Sequence, residues 1–341
     1  MSAAKFLGRI LCSLLVFLLT AATSHARDWA LGDQSRIETA SALQGQAALS
    51  VRDTYIEAMS PFDLAVRLKT AEPTTVEAYL RQSSAAVRPF TAEDEQRLSA
   101  AFEILLPKLA RWQLPWPKTV LLVKATAEHE SGAAYCRGPV IVLPEVRLSP
   151  DANSLAKLLA HEMFHVLSNQ NPELRRDLYA LVGFEHGGAA ELPNALAERK
   201  ITNPDAPTLT DYAKVTIGER EALIVPILIA EPAKFDPALN KNLFGYLQLR
   251  LLEVTLSESG LQPVLDESGN PRLHEVHQVP GYLELIGHNT RYIIHPEEVL
   301  ADNFSLLVFE TQGLPTPKLL EKLAERLKQK EWQNKHQPFG R

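Results

Sequence analysis

Two histidines and a glutamate in the segment from Leu159 to His165 form the pattern His-Glu-x-x-His. Residues four apart lie on one face of a helix, so His161 and His165 can direct two imidazoles at one ion. Zn2+ binds neutral imidazole readily, and a catalytic zinc site keeps one position open for water. Glu162 directly follows the first histidine and can take a proton from that water. The spacing therefore predicts a Zn2+ site with Glu162 as the general base.

A third metal ligand must come from elsewhere in the chain, because two histidines alone make a weak site. A metzincin would continue with glycine and histidine three and six residues after the pattern, but Ser168 and Asn171 stand there. Downstream, Glu298 and Asp302 are four residues apart and can share one helix face. We expect Glu298 to ligate the metal and Asp302 to accept the second ring N–H of a ligand histidine.

This combination of a His-Glu-x-x-His helix with a downstream Glu-x-x-x-Asp helix resembles the gluzincins, the thermolysin-like zinc peptidases. The resemblance implies an α+β, zincin-like catalytic domain that hydrolyses peptide bonds, with His161, His165 and Glu298 as the zinc ligands. It covers only these two short segments. His165 and Glu298 are 133 residues apart, so a substantial insertion, at about residues 190–285, is expected between them.

Two other glutamates remain candidates for the third ligand. Glu185 follows His165 by 20 residues, which is the usual spacing in the family. However, alanine stands four residues after Glu185, where the family has aspartate, and two glycines would interrupt its helix. Glu297 is a register alternative to Glu298.

The oxyanion that forms when water attacks a carbonyl needs a nearby hydrogen-bond donor. Tyr292 is our candidate for this catalytic role, and His288 and His295, also close in sequence to Glu298, are the alternatives.

A short segment before the zinc helix is a candidate for binding the substrate. In gluzincins an edge strand at that place pairs with the substrate backbone, and the resemblance implies the same use of Ala133, Ala134 and Tyr135. An ordinary edge strand remains the alternative. Cys136, next in the chain, is interpreted as a small buried strand residue.

Local patterns predict the elements that position these residues. Ser149, Pro150 and Asp151 supply a cap, a first-turn proline and an acid for a helix that ends between residues 169 and 172. Two largely apolar runs precede this helix, and both predict strands: Thr119 to Ala125 and Val140 to Leu143. A second helix begins at Pro296, carries the proposed third ligand and ends near Val308.

At the level of domains, residues 27–115 are predicted to be an N-terminal helical region, which is either a support domain or a removable prosegment. Residues 116–341 are predicted to be the catalytic domain, with a β-containing insertion at about 190–285. Within the insertion, Leu223 to Ile229 predicts a strand, whereas Leu243 to Leu256 fits either a strand or a helix.

The first 26 residues have the composition of a signal peptide. Lys5 and Arg9 precede an apolar run from Ile10 to Leu19, and small residues allow cleavage after Ala26. The run is short for a membrane span, although an uncleaved anchor remains the alternative. We therefore expect a periplasmic or secreted protein without stable membrane insertion.

Cleavage at this site removes two basic residues and no acidic ones, so the formal net charge changes from −6 to −8. This acidic balance argues against a nucleic-acid partner. Only one cysteine, Cys136, remains, which excludes an intramolecular disulfide. The predicted substrate is a peptide or protein, and the oligomeric state stays open. The alternative functions are a non-catalytic zinc-containing binding protein and a zinc hydrolase of a non-protein amide such as a cell-wall peptide.

Overall fold

A computed structural model describes residues 27–329 of the chain. The predicted signal peptide, residues 1–26, lies outside the described residues. The described part mixes helices and strands, in agreement with the predicted α+β class. Within it, no helix is both long and apolar enough to cross a membrane.

The first sheet consists of β1 (Asp28–Ala30), β2 (Arg36–Thr39), β3 (Val87–Arg88), β4 (Thr119–Ala125), β5 (Tyr135–Arg137) and β6 (Val140–Pro144). Its order is β1-β2-β4-β6-β5, and β3 pairs with β4. Strands β2, β4 and β6 run parallel, whereas β5 lies antiparallel to β6 at one edge. The two strands predicted from apolar runs are therefore confirmed as β4 and β6.

The prediction of a helical region over residues 27–115 is wrong in one respect, because it missed β1, β2 and β3. Strands β1 and β2 extend the same sheet as β4 and β6. These strands have two to four residues each, which is too short for period-two alternation to be recognised in the sequence. Strands β2 and β3 pair with the distant strand β4, and β1 pairs with β2. The pairing with β4 is a tertiary interaction that no local pattern encodes.

The second sheet is antiparallel throughout and contains β7 (Phe184–His186), β8 (Asp211–Ile217), β9 (Arg220–Ala230), β10 (Leu247–Ser257), β11 (Gly260–Pro263) and β12 (Leu273–His274). Its order is β11-β10-β9-β8-β7, with β12 paired to β10. The strand expected at 223–229 is confirmed within β9, and most of the ambiguous segment 243–256 is strand β10.

The α-helices of the described residues are α1 (Ala42–Leu49), α2 (Thr54–Glu57), α3 (Pro61–Leu68), α4 (Val76–Ala85), α5 (Ala92–Leu109), α6 (Ala152–Gln170), α7 (Pro172–Ala180), α8 (Asn194–Ala197), α9 (Pro280–Ile286), α10 (Pro296–Val308) and α11 (Pro317–Leu327). Helix α6 carries the His-Glu-x-x-His pattern. It begins after Asp151, whose carboxylate accepts a hydrogen bond from the Ser154 amide and caps the helix. Helix α10 begins at Pro296, as predicted.

Helix α6 is held in the core between α5 and α10. Leu155, Leu159 and Met163 on α6 are fully buried and join a core that includes apolar residues of both neighbouring helices. The rings of Phe164 on α6 and Phe304 on α10 are 5.7 Å apart. Because α6 is packed on both sides, the two metal-ligand candidates on it have fixed positions.

A buried ion network attaches the loop of residues 202–207 to the N-terminal helices. The Arg67 guanidinium on α3 lies 2.6 Å from Asp63 and 2.8 Å from Glu130. The hydroxyl of Thr202 donates to Asp63 at 2.6 Å, and Arg67 donates to the Thr202 carbonyl at 3.2 Å. All four residues are buried. The network therefore fixes the start of a loop that, as described below, lines the candidate site.

Removing Arg67 should destabilise the fold. Arg67→Ala leaves two buried carboxylates without their cation, so we expect the free energy of unfolding to fall by about 3–5 kcal/mol. Urea unfolding followed by circular dichroism measures this change. The matched control is Arg52→Ala, because Arg52 makes only exposed ion pairs, with Glu57 and Glu77. Equal effects of the two substitutions would contradict a structural role for the buried network.

Candidate metal centre

His161 and His165 lie one turn apart on α6 and face the same glutamate of α10. Their rings are 4.8 Å apart at an angle of 81°. The Nε2 atoms of His161 and His165 lie 3.2 Å and 3.5 Å from one oxygen, Oε2 of Glu298. These three residues form a group whose ligand atoms are close enough together to hold a metal ion.

The second ring nitrogen of each histidine contacts a different carboxylate of α10. Nδ1 of His161 lies 2.8 Å from Oδ1 of Asp302, and Nδ1 of His165 lies 2.9 Å from Oε1 of Glu297. A carboxylate can only accept a hydrogen bond, so both Nδ1 atoms carry protons and both Nε2 atoms are directed at the shared site. Asp302 therefore lies where the sequence analysis expected it, against the ring of a histidine.

Glu297, the register alternative for the third ligand, is occupied by other partners. In addition to His165, it accepts hydrogen bonds from Ser168 at 2.7 Å and from Tyr179 at 2.6 Å. Its carboxylate is fully buried. Glu297 is held against Nδ1 of His165 and therefore orients that ring. It belongs to neither of the two groups of described residues that could hold a metal ion.

Glu185, the other rival, is not part of this arrangement. It lies on β7, and its carboxylate accepts a hydrogen bond from the hydroxyl of Tyr212. Residue 185 is exposed, whereas the glutamates of α10 are buried. Its place on a strand agrees with the two glycines that follow it, which disfavour a helix.

Glu162 supplies a buried acid beside the three candidate ligands. Its Oε2 is buried and has no hydrogen-bond partner among the described residues. Burial raises the pKa of Glu162, an effect that the neighbouring histidines oppose. A buried oxygen without a partner is costly unless a ligand or a water satisfies it. Two imidazoles, one carboxylate and an adjacent unsatisfied acid fit a catalytic zinc centre, which takes three protein ligands and leaves a position open.

The histidines and Glu298 shift each other's pKa. Burial lowers the pKa of His161, but the hydrogen bonds to Asp302 and Glu298 outweigh burial and raise it to about 10. The pKa of His165 also lies well above its ordinary value, because nearby carboxylates outweigh burial. In return, the imidazoles hold the pKa of Glu298 below its usual range despite burial. A metal ion binding here has to replace the protons that these rings carry.

Asn203, which the sequence analysis missed, contacts the candidate ligand Glu298. Its side-chain amide donates to Oε1 of Glu298 at 2.6 Å, which leaves Oε2 directed at the two histidines. Asn203 belongs to the loop of residues 202–207, which the sequence analysis did not connect with the zinc helix. The prolines at positions 204 and 207 indicate a loop. However, no metal-binding motif has a residue spacing that would connect this loop with the histidines.

Asp205, in the same loop, was also missed. It is buried, and its Oδ1 accepts a hydrogen bond from the backbone N–H of Cys136 at 2.6 Å. Asp205, Glu162 and His165 form a second group whose ligand atoms, all within 4.8 Å of one another, could hold a metal ion. Burial raises the pKa of Asp205 well above its ordinary value. A second buried acid therefore lies next to Glu162.

Tyr292 is the candidate oxyanion donor that lies at the site. Its ring stacks on His161, with 6.0 Å between centroids and an angle of 18°, and the residue is 40% exposed. Burial and the surrounding carboxylates raise the pKa of its hydroxyl, which therefore keeps its proton. The buried ring of His295 instead accepts a hydrogen bond from the Glu297 amide and caps α10. His288 is exposed.

The segment expected to bind the substrate backbone lies at the edge of the first sheet, where Ala133 and Ala134 lead into β5. The side chain of Tyr135 is buried, and its hydroxyl lies 2.8 Å from His129. The outward N–H of Cys136 is already bonded to Asp205. The Ala133 amide is also bonded, to the Glu130 carbonyl at 3.1 Å, so this edge is already partly occupied. Cys136 is buried, as predicted.

Comparison of the chain with protein-family models, with curated proteins and with solved structures finds no match. A function for this chain must therefore be argued from the chemistry of the site described above. Fold-level analogy adds nothing to that argument.

Glu298→Gln is expected to remove most of the metal affinity, because it exchanges the carboxylate that both Nε2 atoms face for a neutral amide. We expect the zinc affinity to fall by at least about a hundredfold, as measured by titration against a chromophoric chelator. Glu185→Gln is the matched control and should bind zinc like the wild type. The opposite pattern would assign the third ligand to Glu185.

Zinc affinity should also rise with pH. The interactions that raise the pKa of His161 stabilise the metal-free fold. Their contribution is complete at pH values below the ordinary histidine pKa of 6.5, and it is lost as the pH rises towards about 10. Zinc must displace the same proton, so its apparent affinity is expected to increase between about pH 6 and pH 9. In His161→Asn the slope of log affinity against pH should fall by about one. An unchanged slope would show that His161 does not exchange a proton for the metal.

Proposed function

We propose that this chain is a zinc-dependent metallopeptidase of the gluzincin type, with His161, His165 and Glu298 as ligands. The observation that carries the proposal is the approach of two Nε2 atoms to one oxygen of Glu298, within 3.2 Å and 3.5 Å. The unsatisfied carboxylate oxygen of Glu162 beside them supports a hydrolytic role. A zincin-like catalytic domain agrees with ligands on two packed helices, α6 and α10, and an edge strand before α6.

Zinc, when bound, would polarise the scissile carbonyl and make water a stronger acid. Glu162 would take the proton from the attacking water and pass it to the leaving amine, because its raised pKa allows it to hold that proton. Tyr292 would donate its hydroxyl hydrogen bond to the oxyanion. Asp302 and Glu297 would keep the two rings in the tautomer that directs Nε2 at the metal.

The proposed substrates are peptides or proteins outside the cytoplasm. This part of the proposal is supported by the sequence of residues 1–26, which has the charged, apolar and small-residue regions of a signal peptide. The backbone at Ala133 and Ala134 would pair with the substrate chain, because these residues lead into β5 at the edge of the first sheet.

Glu162→Gln tests the mechanism directly. The substitution keeps the shape of the side chain but removes the base, so kcat should fall by about a hundredfold or more while the zinc content stays at the wild-type level. Hydrolysis of a mixture of short peptides, followed by mass spectrometry, measures the first effect, and elemental analysis measures the second. Glu185→Gln again serves as the control and should retain activity.

A wild-type protein that binds zinc but cleaves no peptide would contradict the peptidase proposal and favour a zinc-containing binding protein. Cleavage of amide bonds in cell-wall fragments, without cleavage of ordinary peptides, would restrict the function to that substrate class.

A further inference from the structure

A cavity beside the loop of residues 202–207 is separate from the candidate metal centre. It has a volume of about 500 Å³, and residues of α2, of α7 and of the turn between β5 and β6 line it. Pro204 and Pro207 of the loop also line the cavity, whereas Asn203 of the same loop is bonded to Glu298. None of the residues assigned above to the metal centre belongs to the lining.

Two buried donor groups in the wall of this cavity have no acceptor. Five buried side-chain polar atoms of the described residues lack a hydrogen-bond partner, and two of these, Nη1 of Arg137 and the hydroxyl of Tyr55, belong to lining residues. The two groups are neighbours, because Cζ of Arg137 lies 5.9 Å from the centroid of the Tyr55 ring. A buried donor without an acceptor is costly, so an acceptor bound here would stabilise both groups. Because both atoms are buried, a ligand contacts them after a small rotation of the two side chains.

The charge of the lining is positive. The charged residues that line the cavity are Arg137, Arg175 and Asp53. Arg137 is already balanced, because its Nε donates to Asp53 at 2.7 Å, and its Nη2 donates to the Val51 carbonyl at 2.6 Å. Arg175 is partly buried, and its side chain has no hydrogen-bond or ion-pair partner in the part of the chain that the structure describes. One positive charge of the lining is therefore uncompensated.

The rest of the lining favours an anion with one charge and an apolar body. Apolar residues, among them Leu49, Val51, Pro139 and Val140, form much of the remaining wall. A cavity of this volume with apolar walls and a few polar groups has the properties of a small-molecule site. Arginine pairs with carboxylates through two parallel hydrogen bonds. A phosphate with two charges would instead lie near Asp53 with only one free positive charge to balance it.

From this arrangement we propose that the cavity binds a molecule with one carboxylate group and an apolar body. The carboxylate pairs with Arg175 and accepts hydrogen bonds from Nη1 of Arg137 and the hydroxyl of Tyr55. Both a free apolar acid and the C-terminus of a peptide carry this group, and the test separates the two. The inference does not depend on the proposed peptidase function, because no residue of the metal centre takes part in it.

Calorimetric titration of the purified protein with hexanoate tests the proposal. We expect hexanoate to bind at least about tenfold more tightly than the neutral hexanamide, and also more tightly than inorganic phosphate. Arg175→Gln should lower the affinity for hexanoate by about tenfold or more. Arg176→Gln is the matched control, because Arg176 is the next residue of α7, is exposed and does not line the cavity. This control should bind hexanoate like the wild type.

Tyr55→Phe provides a second test that does not depend on Arg175. The substitution removes only a hydroxyl that has no partner, so we expect hexanoate to bind about threefold to tenfold more weakly while the melting temperature stays the same or rises. Tyr79→Phe is its control, because the Tyr79 hydroxyl donates to Glu130 at 2.5 Å. This control should lower the melting temperature and leave hexanoate binding unchanged.

Titration with N-acetyl-alanyl-leucine and with its C-terminal amide identifies the source of the carboxylate. Tighter binding of the acid peptide than of hexanoate, lost in the amide, would support a peptide C-terminus, whereas weaker binding would support a free acid. Equal binding of hexanoate and hexanamide, or wild-type affinity in Arg175→Gln, would overturn the proposal. Tighter binding of phosphate than of hexanoate would overturn the assignment to a monocarboxylate. Loss of hexanoate binding in Glu298→Gln would place the carboxylate at the metal centre and would also overturn the proposal.

Discussion

The arrangement of the site depends on the pairing of α6 with α10, through which three acids of one helix contact two histidines of the other. Glu298 faces both Nε2 atoms, while Asp302 and Glu297 each contact one Nδ1 atom. Each imidazole is thus held at both nitrogens by the same neighbouring helix. A small rotation of α10 would break these contacts together, which explains why apolar packing between the helices matters for the chemistry.

Much of this pairing could be predicted, because it follows from helical periodicity. The four-residue spacing of His161 and His165 puts both rings on one face of α6, and the same spacing puts Glu298 and Asp302 on one face of α10. The caps and first-turn prolines that begin these helices are also local signals. What the sequence left open was whether Glu298, its neighbour Glu297 or the more distant Glu185 faces the two histidines. The answer depends on the rotation of α10 against α6, which is a tertiary property.

The parts that could not be predicted all depend on contacts between distant segments. Asp205 and Asn203 come from a loop whose sequence contains no metal-binding spacing, and they reach the site only because the loop is held there from two sides. One side is the ion network of Arg67, and the other is β9, where Leu228 accepts a hydrogen bond from the Ile201 amide. Strand β2 was missed for the same reason, because it is stabilised by pairing with the distant strand β4, and β1 is in turn paired with β2.

These contacts bear on whether residues 27–115 are a removable prosegment. The region contributes β1 and β2 to the first sheet, and its longest helix, α5, packs against α6. Its Arg67 also neutralises Glu130 in the buried turn before β5 and bonds the first residue of the loop that contains Asp205. Removal would uncover apolar core residues of α6 and leave Glu130 buried without a cation, at a cost of several kcal/mol. The same region that completes the core therefore also holds the loop that lines the candidate site.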